Sequence, residues 1–203
     1  MYEIYLGIKR KWSISRISRE IEVSATTVLR EIRRNSNANG YNPLEINLKN
    51  VVSKNVTVKN CKFAKFTNNA ISVFGMAEGG VLNIEKNIFD LGKTSEAVRI
   101  SNKTNTKFTI NVKDCSYTYP TDAAGQVVGF FLFEDHTSKT AEEANAAMQF
   151  KNLKVNVDNV TFEGAKVTKL NLFSGARNQF ACMYYDKSGY VVDATHFPTF
   201  NFK

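Results

Sequence analysis

From residue 56 to residue 63 the chain reads V-T-V-K-N-C-K-F: apolar and polar positions alternate, a polar pair interrupts, and an aromatic closes the phrase. The pattern returns as L-N-I-E-K-N-I-F (82–89), I-N-V-K-D-C-S-Y (110–117) and V-N-V-D-N-V-T-F (155–162). A period of two marks half-buried β-strands. The first apolar positions, Val56, Leu82, Ile110 and Val155, are 26, 28 and 45 residues apart. The longest interval contains T-A-E-E-A-N-A-A-M-Q-F (140–150), where Thr140 and Glu143 stand in capping-box relation and predict an inserted helix packing Ala144, Ala147 and Met148 against the repeats. Without about 18 residues of insertion the period returns to roughly 27.

Each period holds a second apolar run: A-I-S-V-F (70–74), A-V-R-I-S (97–101), G-F-F-L-F (129–133) and K-L-N-L-F (169–173). Their predicted inward pairs are Ile71/Val73, Val98/Ile100, Phe130/Leu132 and Leu170/Leu172. Two short strands in so short a period predict coils of a parallel β-helix, about four of them. One coil cannot bury its apolar face alone, whereas stacked coils make a continuous core. The polar pair then lies at a bend, where Asn60, Asp114 and Asn159 suit left-handed backbone. Cys61, Asn87, Cys115 and Val160 follow them, and Phe63, Phe89, Tyr117 and Phe162 are expected to stack inside as a ladder. Cys61 and Cys115 fall two coils apart, about 9–10 Å at strand spacing, too far for a disulfide. Beyond the repeats, Lys187-Ser188-Gly189 marks a hairpin turn that caps the stack, and T-F-N-F-K (199–203) reads as a last edge strand.

Residues 1–44 follow a different period. Tyr2, Ile4, Tyr5 and Ile8 predict a first helix; Ser13 caps a second carrying Ile14, Ile17 and Ile21; Ser24 caps a third carrying Val28 and Ile32. A tight turn between two such helices is the helix-turn-helix pattern. The segment S-I-S-R-I-S-R-E-I-E-V-S-A-T-T-V-L-R-E-I-R-R-N, followed by G-Y-N-P, resembles the N-terminal DNA-binding segment of a family of insertion-sequence transposases. That resemblance implies duplex DNA as a partner, with Ala25, Thr26, Thr27 and Arg30 near base edges and Arg33 and Arg34 at phosphates. Ser18 and Glu22 depart from the family pattern, which has Ala and Gly there. Glu22 is therefore expected at positive φ with about 1 kcal/mol of strain. The repeats N-V-T-V-K-N-C-K-F and N-N-A-I-S-V-F-G resemble the β-helices of pectate-lyase-like proteins, which implies a right-handed parallel β-helix, and more closely the noncatalytic repeats of bacteriophage virion proteins.

Charge sharpens this division. The net charge is +8, and residues 1–44 supply +4 of it from eight Lys/Arg and four Glu. No apolar run reaches the roughly 18 residues of a membrane span. The opening lacks the basic and apolar parts of a signal peptide, so a cytoplasmic protein is expected, or one assembled into a virion in the host cytoplasm. The charged pairs Asp135-His136 and Glu142-Glu143, and the lone His196, form no nucleophile–base or metal pattern. No catalytic residue, metal or cofactor is expected. The expectation is a noncatalytic structural or interaction protein: a basic module (1–44), then a β-helix (45–203) with the insertion and a hairpin cap. The resemblance to phage repeats implies a capsid- or tail-associated component; the open ends of so short a stack and its 15 Phe, 8 Tyr and 1 Trp predict a homotrimer, or docking on other virion proteins. The alternatives are a sequence-specific DNA-binding protein with an oligomerising β-helix, and a glycan-binding or lyase-like module in which Tyr117, Tyr119, Phe131, Tyr184 and Tyr185 stack on sugars.

Overall fold

The computed structural model describes residues 10–34, 36–37, 40–41, 46–48, 51–64, 69–93, 95–101, 107–123, 129–135, 150–171, 177, 179–185, 189–190 and 197–203. The predicted first helix (2–8) and the inserted helix up to residue 149 lie outside the described residues. The chain divides into two compact units, Met1–Asn47 and Leu48–Lys203.

In the first unit, helices α1 (Ile14–Glu20) and α2 (Ala25–Arg34) pack together. The Ser13 side chain accepts the Arg16 N–H at 3.2 Å, and that of Ser24 accepts the Thr27 N–H at 3.1 Å, so both caps form as the sequence predicts. Ile17 and Val28 are buried against each other, with Trp12, Ile14 and Ile21 around them. Glu22 makes the turn at φ 56°, the left-handed position expected of it. Strands β1 (Ser36–Asn37) and β2 (Gly40–Tyr41) pair antiparallel after the helices.

The second unit is mainly β, three parallel sheets whose strands stack in sequence order. The first sheet holds β4 (Asn55–Lys59), β7 (Gly80–Glu85), β10 (Phe108–Lys113), β13 (Lys154–Asp158) and β18 (Thr199–Phe202). Val56 pairs with Leu82, Leu82 with Ile110, Ile110 with Val155 and Val155 with Phe200, all parallel. The four phrases therefore stack in register on the residues that define their spacing. Leu82, Ile84, Ile110, Val112, Val155 and Val157 are fully buried on the inward face.

Each phrase is two strands. The second sheet is built from β5 (Lys62–Ala64), β8 (Ile88–Asp90), β11 (Ser116–Thr118) and β14 (Thr161–Phe162), so a coil has three strands where the sequence pattern suggests two. The corner between the first and second sheets is two residues long. Its first residue is left-handed in every coil: Asn60 (φ 57°), Lys86 (52°), Asp114 (54°) and Asn159 (50°). The ladder continues through the bend. The Asn60, Lys86 and Asp114 N–H groups donate to the carbonyls of Glu85, Lys113 and Asp158 at 3.1, 2.9 and 3.0 Å. One coil on, Ile88, Ser116 and Thr161 donate to Cys61, Asn87 and Cys115 at 2.9, 3.0 and 2.9 Å. Asn and Asp tolerate this backbone by local hydrogen bonding, and Asn159 Nδ2 reaches Asp114 Oδ1 at 2.8 Å. Lys86 has no such compensation in its side-chain chemistry.

The third sheet holds β3 (Ile46–Leu48), β6 (Asn69–Val73), β9 (Glu96–Ser101), β12 (Gly129–Asp135) and β16 (Ala181–Tyr185), ending in antiparallel β17 (Gly189–Tyr190). Two expectations change here. The register sets Phe131 and Phe133 beside Val98 and Ile100, one residue from the predicted pair Phe130/Leu132. Phe131 and Phe133 meet Phe200 of the first sheet at 6.1 and 6.3 Å between centroids and so line the interior, while Phe130 of the predicted pair also packs inside, against rings of the second sheet. The strand that follows β12 in the sheet is Ala181–Tyr185, in place of the fourth predicted run, K-L-N-L-F (169–173). The cause is the dipeptide Glu163-Gly164, both at positive φ (48° and 86°), which makes the two-residue hairpin between β14 and β15 (Ala165–Lys166). That hairpin diverts the chain out of the coil. The first arm of the predicted C-terminal cap is thus itself a coil strand, and the predicted turn at 187–188 lies outside the described residues.

The predicted ring ladder is in register: Phe63 pairs with Phe89, Phe89 with Tyr117 and Tyr117 with Phe162. Phe63 and Phe89 stack at 5.1 Å, and Tyr117 and Phe162 lie 4.9 Å apart. At the middle step Phe130 comes edge-on between the other two rings, 5.3 Å from each.

Two substitutions test this construction in urea unfolding of the full chain. Leu82→Ala removes a fully buried inward side chain and is expected to cost about 2–5 kcal/mol. Lys86→Asn relieves a left-handed lysine and is expected to raise stability by up to about 1 kcal/mol. A stabilised midpoint for the first or a lowered one for the second contradicts the coil geometry.

Candidate functional site

The outward face of the first sheet is the most regular surface of the described residues. Its central row is an amide ladder. Asn201 Nδ2 donates to Asn156 Oδ1 at 3.0 Å, Asn156 to Asn111 at 2.8 Å, and Asn111 to Asn83 at 2.8 Å. The alternation that buries Leu82 and Ile84 turns Asn83 outward, and in-register stacking repeats the amide on each strand. Beside it runs a row of charge. Lys59 meets Glu85 at 3.2 Å and Lys113 meets Asp158 at 3.9 Å, with Lys203 at the end of the row. Glu85, Lys113, Asp158 and Lys203, together with the four asparagines and Lys154, line a shallow groove of about 510 Å³. The amides and side-chain charges can hold a polar or extended partner by hydrogen bonds and ion pairs. Exposed pairs of this kind contribute at most about 1 kcal/mol each to stability.

The residues expected to touch DNA are all on α2. Thr26 and Thr27 are exposed in its first turn, and the Thr27 hydroxyl lies 2.9 Å from Ser24 Oγ in the cap. Helical spacing sets Arg30 and Arg33 on the same face as Thr26. The side chains of Arg30, Arg33 and Arg34 lie outside the described residues. Two other arginines are organised locally: Arg16 sits over the Trp12 ring at 4.3 Å and Arg10 at 5.2 Å.

Three of the aromatic residues of the glycan alternative are not on the surface. Tyr117, Tyr119 and Phe131 are buried, while the side chains of Tyr184 and Tyr185 lie outside the described residues. The Tyr119 hydroxyl accepts the Gly129 N–H at 2.7 Å and donates to the Ser95 carbonyl. The Tyr117 hydroxyl and the Gln179 amide are buried with no hydrogen-bond partner. Glu78 lies in the turn before β7, where its carboxylate accepts the Lys107 N–H at 2.9 Å. His136, Glu142, Glu143 and His196 lie outside the described residues.

One polar feature escapes the sequence pattern. On the third sheet Arg99 pairs with Glu134, a carboxylate that is 1% exposed. Asn69, Ser72 and Ser101 are buried in the same sheet. The available signal was charge at Arg99 and Glu134 within otherwise apolar runs. Its tie across two coils needs the register. Among the described residues no group of three or more His, Cys, Asp or Glu is placed to hold a metal ion, and no helix is long and apolar enough to cross a membrane.

A column of Cys61, Asn87 and Cys115 follows the left-handed corners. Asn87 Oδ1 accepts the Cys61 N–H and its Nδ2 donates to the Val58 carbonyl, both at 2.8 Å. Both cysteines are free thiols, as their separation predicts. Burial pushes the Cys115 thiol up to about 11, and Cys61 is raised for the same reason.

The fold and this surface define a short β-helix-like repeat protein with a small helical module. Comparison with known proteins finds no matching family model, no matching curated protein and no matching solved structure.

The Cys115 thiol gives a signed pH prediction. The folded state keeps the thiol proton to higher pH than the unfolded chain, so its contribution to stability is lost as pH rises from about 9 to about 11. Urea midpoints are expected to fall across that window, and to fall less in Cys115→Ala. Native Cys115 is expected to resist a thiol reagent at neutral pH until the chain is unfolded.

Proposed function

We propose that this chain is a noncatalytic structural or interaction protein whose β stack serves assembly. In this reading it works as a bacteriophage virion component, attached to capsid or tail, with the basic helical module as its anchor. The observation that carries the assembly reading is the unfinished end of the first sheet. Phe200 and Phe202 occupy the inward column yet are half-buried, whereas their mates Val155 and Val157 are fully buried. Apolar rings left at an open sheet edge favour cover by another chain. The phage assignment rests on the resemblance of the repeated phrases. The expected form is a homotrimer, or a subunit docked on a larger assembly.

A second reading is favoured by the local geometry of the first unit. The left-handed Glu22 turn, the Ile17–Val28 contact and the exposed Thr26 are the features that a helix-turn-helix requires. Under this reading the module binds duplex DNA.

Two measurements separate them. Light scattering on the full chain is expected to give a multiple of its mass, most simply three. A monomer that buries less than about 1,000 Å² against any partner overturns the assembly reading. Fluorescence titration with duplex DNA tests the second: affinity falls steeply with salt, Arg30→Ala reduces discrimination among sequences, and Arg34→Ala weakens all sequences alike. Absence of binding at low salt removes it.

A further inference from the structure

The strands of the first sheet are of two kinds in strict alternation. Read outward at the second and fourth places, they are V-T-V-K (56–59), L-N-I-E (82–85), I-N-V-K (110–113), V-N-V-D (155–158) and F-N-F-K (200–203). The pairings put Lys59 beside Glu85, Glu85 beside Lys113 and Lys113 beside Asp158. Lys203 follows Phe202, the partner of Val157, and so ends the row next to Asp158. Charge changes sign at every step, and both edges of the sheet finish in lysine.

The β18 edge is also incomplete in its backbone. Thr199 N–H donates to the Leu153 carbonyl at 3.1 Å and Lys203 N–H to that of Val157 at 2.9 Å. Alternation along a parallel strand therefore turns the N–H and C=O groups of Phe200 and Phe202 away from β13. The second and third sheets end differently. Their last strands, β15 and β17, are antiparallel and two residues long, poor templates for further pairing. Among the described residues, the first sheet alone has a longer parallel strand, of four residues, as its last, with rings beneath it.

We infer that the β18 edge takes up an extended segment of a different polypeptide as a sixth parallel strand, of the type apolar–Asn–apolar–acid. Its acid lies beside Lys203, its amide extends the ladder from Asn201, and its apolar residues cover Phe200 and Phe202. A second copy stacked head to tail does not fit, because its β4 edge brings Lys59 against Lys203. Like charges directly opposite across a strand pair are destabilising. The inference deepens the assembly reading and rests on it for biological meaning, although its chemistry is tested independently.

The probe is a labelled peptide with the sequence of residues 154–159, K-V-N-V-D-N, titrated against the full chain by fluorescence anisotropy. A control peptide has lysine in place of the aspartate. The acidic peptide is expected to bind about five- to tenfold more tightly than the control, a gap that narrows at high salt. Lys203→Glu is expected to reverse the preference. Equal binding, no binding of either peptide, or a preference indifferent to Lys203→Glu overturns the inference. So does protection of the Phe200 and Phe202 amides from hydrogen exchange in the chain alone, which means that the edge is already filled by itself or a copy. An oligomer that ignores both peptides removes this inference and spares the assembly reading. A monomer that selects the acidic peptide removes the homo-oligomer and keeps the edge.

Discussion

The in-register parallel pairing of β4, β7, β10, β13 and β18 is the constraint from which the rest of the second unit follows. Side chains alternate across each strand, so a slip of one residue turns the whole inward set toward solvent. With Val56, Leu82, Ile110, Val155 and Phe200 in one column, every equivalent position is also in a column. The outward asparagines meet their neighbours for this reason, as do the alternating charges, the left-handed corners and the rings of the second sheet. No individual ladder contact is strong; their regularity is a consequence of one register repeated.

Register also dictates where the chain tolerates irregularity. The two-residue corner between the first and second sheets has one backbone solution, used in all four phrases. Extra length is found where the chain returns from the third sheet, between Asp135 and Phe150, and after the Glu163-Gly164 turn. That second departure is fastened by Arg177. Its guanidinium donates to the Tyr119 and Pro120 carbonyls at 2.7 and 3.2 Å and pairs with Glu163, whose carboxyl it holds below the usual range. One side chain thereby ties the diverted segment to the coil beneath it.

The two ways of ending a sheet separate stability from association. Short antiparallel strands stop the second and third sheets. The first continues to β18, where half-buried rings, unpaired backbone and a lysine lie on one edge. The outward row of this sheet alternates in charge up to that edge. The helical module is governed by a smaller contact, Ile17 on Val28, and its surface chemistry is basic.

By itself the sequence determined the repeat, its period, the parallel register of the first sheet and three of the four left-handed corners, Asn60, Asp114 and Asn159, because each depends on local alternation or on residues with distinctive backbone preference; Lys86 has no such preference. It also determined both helix caps, which are set within a few residues, whereas the positive φ at Glu22 followed from the resemblance to the helix-turn-helix segment. It did not reveal that each phrase bends into two strands of different sheets, since alternation resumes after the corner with no change of composition. The inward phase of G-F-F-L-F was ambiguous because Phe130, Phe131, Leu132 and Phe133 are all apolar and all buried. The strand beside β12 in the third sheet was misplaced to K-L-N-L-F because a two-residue turn at Glu163-Gly164 outweighs a local alternation downstream. The pairing of Arg99 with Glu134, the edge-on entry of Phe130 into the ring column, and the contrast between closed and open sheet ends were decided only by tertiary structure. They join residues separated by whole coils, and distance through space between coils is fixed by the stacking of the chain, not by any pattern along it.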